Sequence, residues 1–354
     1  MTIEIKILNQ NTESDYERLL YETPAAMFNY SLQYRSFLRR ILKDADDLYL
    51  LAYENNELKA AFPLFMKYGP LGTVVNSLPF YGSHGGVIAK PSSSDAIRES
   101  LIQAFYDVCK QQNAICSTII ESPIDPQRTR NKMYSPDFVD ERIGQITTLP
   151  SVNNEQEAEE ALFALYHQKT RNMIRKGIKS GFTVSHDSSI ESIKALYFLH
   201  NENIQAIGGI AKPWDVFKAI KEVFSYNADY RIYTAKKDGV IVSALLVFYF
   251  KGIVEYFTPA TLESYRSQQP LSLLIYTAMR DAIVERGAMR WNWGGTWLTQ
   301  KGVYQFKSRW GTTDYPYRYH VNLYQETKII QGLSKEGLLE NYQYFYTVPF
   351  SVLN

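Results

Sequence analysis

The sequence predicts an α+β chain of two tandem domains, each a mixed, mostly antiparallel sheet flanked by helices, and three observations carry that expectation. A hairpin pattern occurs twice, Tyr49 to Tyr53 with Leu58 to Lys67 and Arg231 to Ala235 with Val240 to Phe250, at an offset of 183 residues that pairs Ala52 with Ala235 and Gly69 with Gly252. At the same offset a helical stretch stands ahead of each hairpin, Tyr30 to Lys43 and Pro213 to Tyr226. Each hairpin is then followed by a further strand, an amphipathic helix and another strand.

The hairpin turns are Glu54-Asn55-Asn56-Glu57 and Lys236-Lys237-Asp238-Gly239, polar residues that tolerate left-handed backbone between two apolar runs. In the first half the helix and strand that follow read as Ser94 to Gln112 and Ala114 to Ile120; in the second they read as Pro270 to Arg286 and Met289 to Gly294. Pro270 suits the first helical position, where the missing amide costs nothing. Residues Asn154 to Ser180 read as one long helix closed by Gly181. The segment Ser122 to Pro150, rich in Pro, Asp, Arg and Ser, reads as an irregular connection. A boundary near 150 follows, with domains at 1–150 and 151–354.

Thirty-eight basic and thirty-seven acidic residues leave a net charge of +1, so no overall field draws the chain to DNA or an anionic membrane, and any anion site must be local. The opening MTIEIKILNQ has no secretory pattern, and the longest apolar stretch, Gly239 to Phe250, is shorter than the roughly 20 residues of a membrane span. A cytoplasmic chain without a transmembrane segment is expected. Cys109 and Cys116, on a helix and the next strand, give neither a disulfide framework nor a zinc set, and five scattered histidines show no ligand spacing, so no metal is expected. Nucleophile elbow, dinucleotide and P-loop motifs are absent from the sequence. Direct transfer between two bound substrates stays open, with positioning and oxyanion stabilisation as its main catalytic resources.

Four stretches carry candidate chemistry. Lys169, Arg171, Arg175, Lys176 and Lys179 crowd one helix end without an acid; Arg171 and Arg175 share a face and could grip a diphosphate, or the run could simply be solvated and complement the helix dipole. Phe80 to Val87, FYGSHGGV, sets Tyr81 and His84 beside paired glycines, where a histidine could accept a proton from an attacking amine or the loop could be an ordinary turn. The helix start after Gln268 could offer free amides to a phosphate. Trp291 to Gly311 is the densest motif, with Asn292 before a Gly-Gly break and Lys307 and Trp310 in close order. A lysine held among rings could steady an oxyanion, or snorkel to the surface.

Lys169 to Gly181, KTRNMIRKGIKSG, and Phe306 to Gly311, FKSRWG, resemble the basic helix and the F-K-x-x-[FW]-G motif of the FemABX-type aminoacyl transferases and related Fem-like members of the GNAT acyltransferase superfamily. The resemblance covers roughly residues 150 to 325 and extends to the first half in layout. It implies two tandem GNAT-like domains and an N-acyltransferase that joins an acyl-CoA or aminoacyl-tRNA donor to an amine of a cell-wall or polysaccharide precursor, such as a nucleotide-linked amino sugar. On this reading no cofactor is tightly bound and the donor is a co-substrate, with tRNA as one of its two forms. It makes Lys307 a catalytic-cleft residue and Arg171, Arg175 and Lys176 anion-binding candidates; the residues themselves add Tyr81, Gln268, Asn292 and Trp310 as binding candidates, with His84, or the substrate itself, accepting the amine proton. A sugar- or nucleotide-binding member without catalysis, or a scaffold of a glycan-assembly complex, is the alternative. This sequence departs from the pattern in three ways: Asn292 stands where D-F-G-G would place an aspartate, no helical arm is evident, and Arg266 to Leu271 lacks the glycines of a pyrophosphate loop. If that aspartate serves acid–base chemistry, the role is lost or moved in this chain.

Overall fold

The computed structural model describes residues 2–80, 84–125, 134–324 and 334–353. In chain order the elements are β1 (Ile3–Ile7), α1 (Glu13–Glu22), α2 (Leu32–Ile41), β2 (Ala45–Glu54), β3 (Glu57–Gly69), β4 (Gly72–Asn76), β5 (Ile88–Ala89), α3 (Asp95–Gln111), β6 (Ala114–Ile120) and β7 (Phe138–Thr148). There follow α4 (Glu155–Leu165), α5 (Gln168–Lys179), β8 (Thr183–Asp187), α6 (Ile190–Gln205), α7 (Trp214–Val223), β9 (Tyr230–Lys237), β10 (Val240–Phe250), β11 (Ile253–Thr261) and α8 (Pro270–Arg286). The chain closes with β12 (Arg290–Trp297), α9 (Lys301–Ser308), β13 (Thr312–Leu323) and α10 (Lys335–Asn341).

Two compact units result, Met1–Ile143 with Tyr315–Asn354, and Gly144–Asp314. Unit 1 orders its strands β1-β2-β3-β4-β6-β13, with β5 beside β3. Every pairing in it is antiparallel except β4 with β6, which α3 connects. Unit 2 orders its strands β8-β9-β10-β11-β12-β7. Its one parallel pair among the registers from β8 to β12 is β11 with β12, connected by α8. A crossover helix is what a parallel pair requires. The sequence strand, two helices, three antiparallel strands, crossover helix, strand thus occurs twice; the 183-residue offset predicted it from the second helix onward.

The cores follow the alternation of each strand. In unit 1, Phe62 stacks on Phe105 at 5.0 Å within a cluster that includes Leu64, Leu101 and Ile119. In unit 2, Trp291, Trp293 and Trp310 are packed with Tyr166, Leu274 and Met279. Each large apolar side chain removed from water contributes about 1.5–3 kcal/mol, so these ring clusters hold each unit's helices to its sheet.

Three expectations are corrected. Ser122 to Pro150 is not wholly irregular, because β7 lies inside it; its buried positions are Arg142, Gly144, Gln145, Ile146 and Thr147, and a largely polar buried face hides a strand from hydrophobic patterning. The expected helix from Asn154 to Ser180 is two helices. Tyr166 closes α4 with extended backbone and sinks fully into the core, while His167 Nδ1 caps α5 by accepting from the Lys169 amide at 3.1 Å. Finally, the second domain does not run to 354: residues 319–323 of β13 pair with β6, and the tail is tied to unit 1 by Tyr346 N–H to Asn76 Oδ1 (2.7 Å) and Asn76 Nδ2 to the Tyr346 carbonyl (2.8 Å).

Candidate active site

The parallel ladder of unit 2 pairs Ile253 with Arg290, Val254 with Trp291 and Glu255 with Asn292, and ends there. Trp291, Trp293 and Val254 belong to the core cluster. Alternation along the strands turns Glu255 and Asn292 to the other face. Both are buried, and Asn292 Nδ2 donates to Glu255 Oε2 at 2.7 Å. Burial pushes the Glu255 carboxyl up to about 8, against the smaller opposing effect of the Asn292 hydrogen bond. Its other oxygen, Oε1, is buried without a hydrogen-bond partner among the described residues.

Gly294 carries φ 71°, a left-handed conformation suited to glycine, and its amide donates to Asn292 Oδ1 at 3.0 Å. The next carbonyl, of Gly295, accepts from Lys307 Nζ at 3.2 Å, and Thr296 Oγ1 accepts from the same nitrogen at 2.9 Å. Thr296 in turn donates to Gln145 Oε1 at 3.3 Å, while Gln145 Nε2 reaches the Tyr304 carbonyl at 3.3 Å and Thr312 Oγ1 at 3.4 Å. The ammonium on α9 is therefore held by a fixed set of neutral acceptors. Lys307 is 7% exposed, no carboxylate pairs with it among the described residues, and burial lowers it to about 8. Two of its three N–H bonds are occupied, which leaves one for a ligand. Hydrogen bonds thus run from Glu255 through Asn292 to the Gly294-Gly295 break and on to Lys307.

The other expected residues are placed as follows. Trp310, expected to bind substrate, is instead fully buried, with ring centroids 5.0 Å from Tyr166 and 5.5 Å from Trp293, and its carbonyl accepts from Thr147 Oγ1 at 3.1 Å. Arg171 Nη1 donates to the Phe163 carbonyl at 3.1 Å and the Arg175 guanidinium lies 5.4 Å over the Phe163 ring, so both forks turn toward α4. Lys176 is exposed. The structure brings α5 to the start of α8: a Cβ on Gly177 would stand 2.8 Å from the Gln269 carbonyl, and Ser180 Oγ donates to the Gln268 carbonyl at 3.3 Å. Gln269 holds φ 63° there, so the turn into α8 takes a left-handed residue without a glycine. His84 lies in unit 1, 2% exposed and edge-on to Tyr317 at 5.0 Å. Tyr81 lies outside the described residues.

Glu255, Gln145 and Thr296 escaped the sequence reading. Glu255 had a signal, since it is the one charged residue in the strand IVEYFTPAT. Gln145 had none, because its strand read as a loop.

With this geometry in place, comparison with known proteins shows that residues 166–308 match the family model described as "Acetyltransferase (GNAT) domain". No curated protein matches the chain. Among solved structures, FemX aligns with a TM-score of 0.69 at 15% identity, over 89% of this chain and 96% of that one. A tandem GNAT protein from the clavulanic acid biosynthesis pathway aligns with a TM-score of 0.57 at 9% identity, over 91% and 98%. The C-terminal domain of a putative lysylphosphatidylglycerol synthetase from Agrobacterium fabrum aligns with a TM-score of 0.55 at 10% identity, over 96% and 100%. Residues 166–308 thus match a GNAT acetyltransferase domain. The fold of the chain is the one shared with FemX and the tandem GNAT protein. No helix among the described residues is long and apolar enough to cross a membrane.

Proposed function

We propose that the chain forms an amide by moving an acyl or aminoacyl group from a thioester or ester donor, acyl-CoA or aminoacyl-tRNA, to an amine of a cell-envelope or polysaccharide precursor such as a nucleotide-linked amino sugar. The observation that carries this reading is the buried Lys307 ammonium with one N–H unused, joined through the Gly-Gly break to the Asn292–Glu255 pair. The amine nitrogen attacks the donor carbonyl carbon, its N–H proton passes to Glu255 Oε1, and negative charge gathers on the carbonyl oxygen. Lys307 steadies that charge in a site of low dielectric. Collapse of the tetrahedral intermediate expels the thiolate or alkoxide and leaves the amide. Glu255 takes the role first considered for His84 because its hydrogen bonds join it to the strand that holds Lys307. It also answers the missing acid at 292, from the neighbouring strand. The first turn of α8, entered through left-handed Gln269 beside the C-terminal end of α5, takes the donor's phosphates.

The names of two structural neighbours, FemX and a lysylphosphatidylglycerol synthetase, support an envelope precursor as acceptor. The test is mass spectrometry of a UDP-amino sugar incubated with the protein and either acetyl-CoA or an aminoacyl-tRNA. An amide product with one donor, lost in Lys307→Ala, supports the reading. No product with either donor overturns it for this acceptor class, and product formation indifferent to Lys307 overturns the assigned mechanism.

A further inference from the structure

The face of the unit 2 sheet that carries Glu255 also carries a second buried cation that the transfer scheme does not use. The β10–β11 register shifts between Leu246 and Val247, which leaves Phe257 opposite no residue of β10. Such bulges re-aim side chains beside sites. Here Phe257 meets Phe248 edge-on at 5.0 Å, and Phe248 is the ladder partner of Glu255, so Phe257 and Glu255 share a face.

Lys212 stands over that ring, with Nζ 5.3 Å from its centroid, and is 9% exposed. Its backbone anchors it: the Lys212 amide donates to His200 Nε2 at 3.1 Å. Burial drives His200 down to about 3, so the ring is the neutral acceptor this bond requires. One helical turn after His200, Asn203 clamps α6 to the end of β11 through both ends of its side-chain amide, Nδ2 to the Thr261 carbonyl at 2.8 Å and Thr261 N–H to Oδ1 at 3.0 Å. The lysine is therefore positioned by packed elements on either side. On β11 itself, two buried atoms flank Phe257 without hydrogen-bond partners among the described residues, Glu255 Oε1 and Thr258 Oγ1. Polar atoms left so in a buried setting await a ligand or water.

We propose that this face binds the acceptor, and that the acceptor is an amine carrying an anionic group, carboxylate or phosphate, a few bonds away: the amine meets Glu255 and the anion meets Lys212. The inference rests on the acyl-transfer reading of the same site and narrows its substrate class. A plain amine makes only the first contact, whereas an amino-anion adds a charge-assisted contact to a cation already stripped of most of its water. Thr258 can donate to the same anion. Burial also draws Lys212 down to about 8, and a bound anion pulls it back toward its charged form.

The experiment is a binding titration of the full chain by nuclear magnetic resonance or calorimetry, with 4-aminobutyrate, 2-aminoethyl phosphate and butylamine as probes. The expected result is that at least one amino-anion binds about tenfold or more tightly than butylamine, and that Lys212→Met abolishes this preference while Lys212→Arg keeps part of it. Whichever anion binds more tightly names the group. Equal binding of the three probes, binding of none, or a preference that survives Lys212→Met overturns the proposal. If Lys212→Met does not fold, the wild-type preference and Lys212→Gln decide it in the same way. Because binding is read without turnover, expected binding with no acyl transfer sinks the transfer reading alone, and transfer to butylamine as efficient as to an amino-anion sinks the acceptor class alone.

Discussion

Glu255 and Asn292 are the last pair of the β11–β12 ladder, and the asparagine donates to the carboxyl at 2.7 Å. Where the D-F-G-G pattern would place an aspartate this chain carries Asn292, and the buried acid beside it stands on β11, held by the asparagine amide.

Activity should follow a bell-shaped pH profile centred near 8. Glu255 must lose its proton to act as base, and Lys307 must keep its own to stabilise the oxyanion. Burial brings both close to about 8 from opposite sides, so the rate rises as Glu255 ionises and falls as Lys307 neutralises. Measured as kcat/KM across the range, Glu255→Gln should remove the acidic limb along with most activity. A flat profile counts against both assignments.

Lys307→Ala should lower kcat by about 10²–10³, the scale for loss of one oxyanion donor, with little change in KM, since the charge it meets exists only in the transition state. Arginine should rescue only partly, because its planar fork does not fit the Gly295 and Thr296 acceptors as a compact ammonium does. Steady-state kinetics decide it. A large KM increase at constant kcat makes Lys307 a ground-state ligand instead.

Asn292→Asp should shift the acidic limb to higher pH. It sets a second carboxyl within hydrogen-bond reach of the first, and the pair then shares a proton rather than ionising together. Asn292→Ala should shift the limb the same way, more weakly, by removing the bond that favours the carboxylate. If Glu255 only packs, both substitutions will change the melting temperature and leave the pH profile where it was.

Stability should also respond to Glu255. Its folded value is raised above that of the unfolded chain, so the protonated form is favoured on folding. The folded state is then penalised progressively as pH climbs from the unfolded value toward the folded one. Glu255→Gln escapes that penalty. Denaturant titrations at about pH 4 and about pH 8 should show the variant gaining on the wild type at the higher pH, and a constant difference refutes the buried, raised carboxyl.

The repeat, the hairpins and the helix and strand that follow each of them were legible because each is a local pattern: alternation along Tyr49 to Lys67, proline at the start of Pro270 to Arg286. Lys307 and Asn292 were legible by resemblance. What could not be read is what depends on distant partners. Gln145 supports Lys307 from a strand whose buried face is polar, and Tyr166 breaks a helix by sinking against Trp310 rather than by any breaker residue. Trp310 looked like a binding residue because a buried indole and an exposed one have the same spelling. Replacing it with alanine should cost about 3–5 kcal/mol of stability.

The division of unit 1 between the two ends of the chain has a consequence for biosynthesis. Residues 144–314 are contiguous, so they can fold as soon as they leave the ribosome, whereas β6 waits for β13 and the Asn76–Tyr346 bonds until residues 315–346 have been made. During that interval β6 is an open edge able to pair with another nascent chain. Unit 1, begun before unit 2, is thus finished after it.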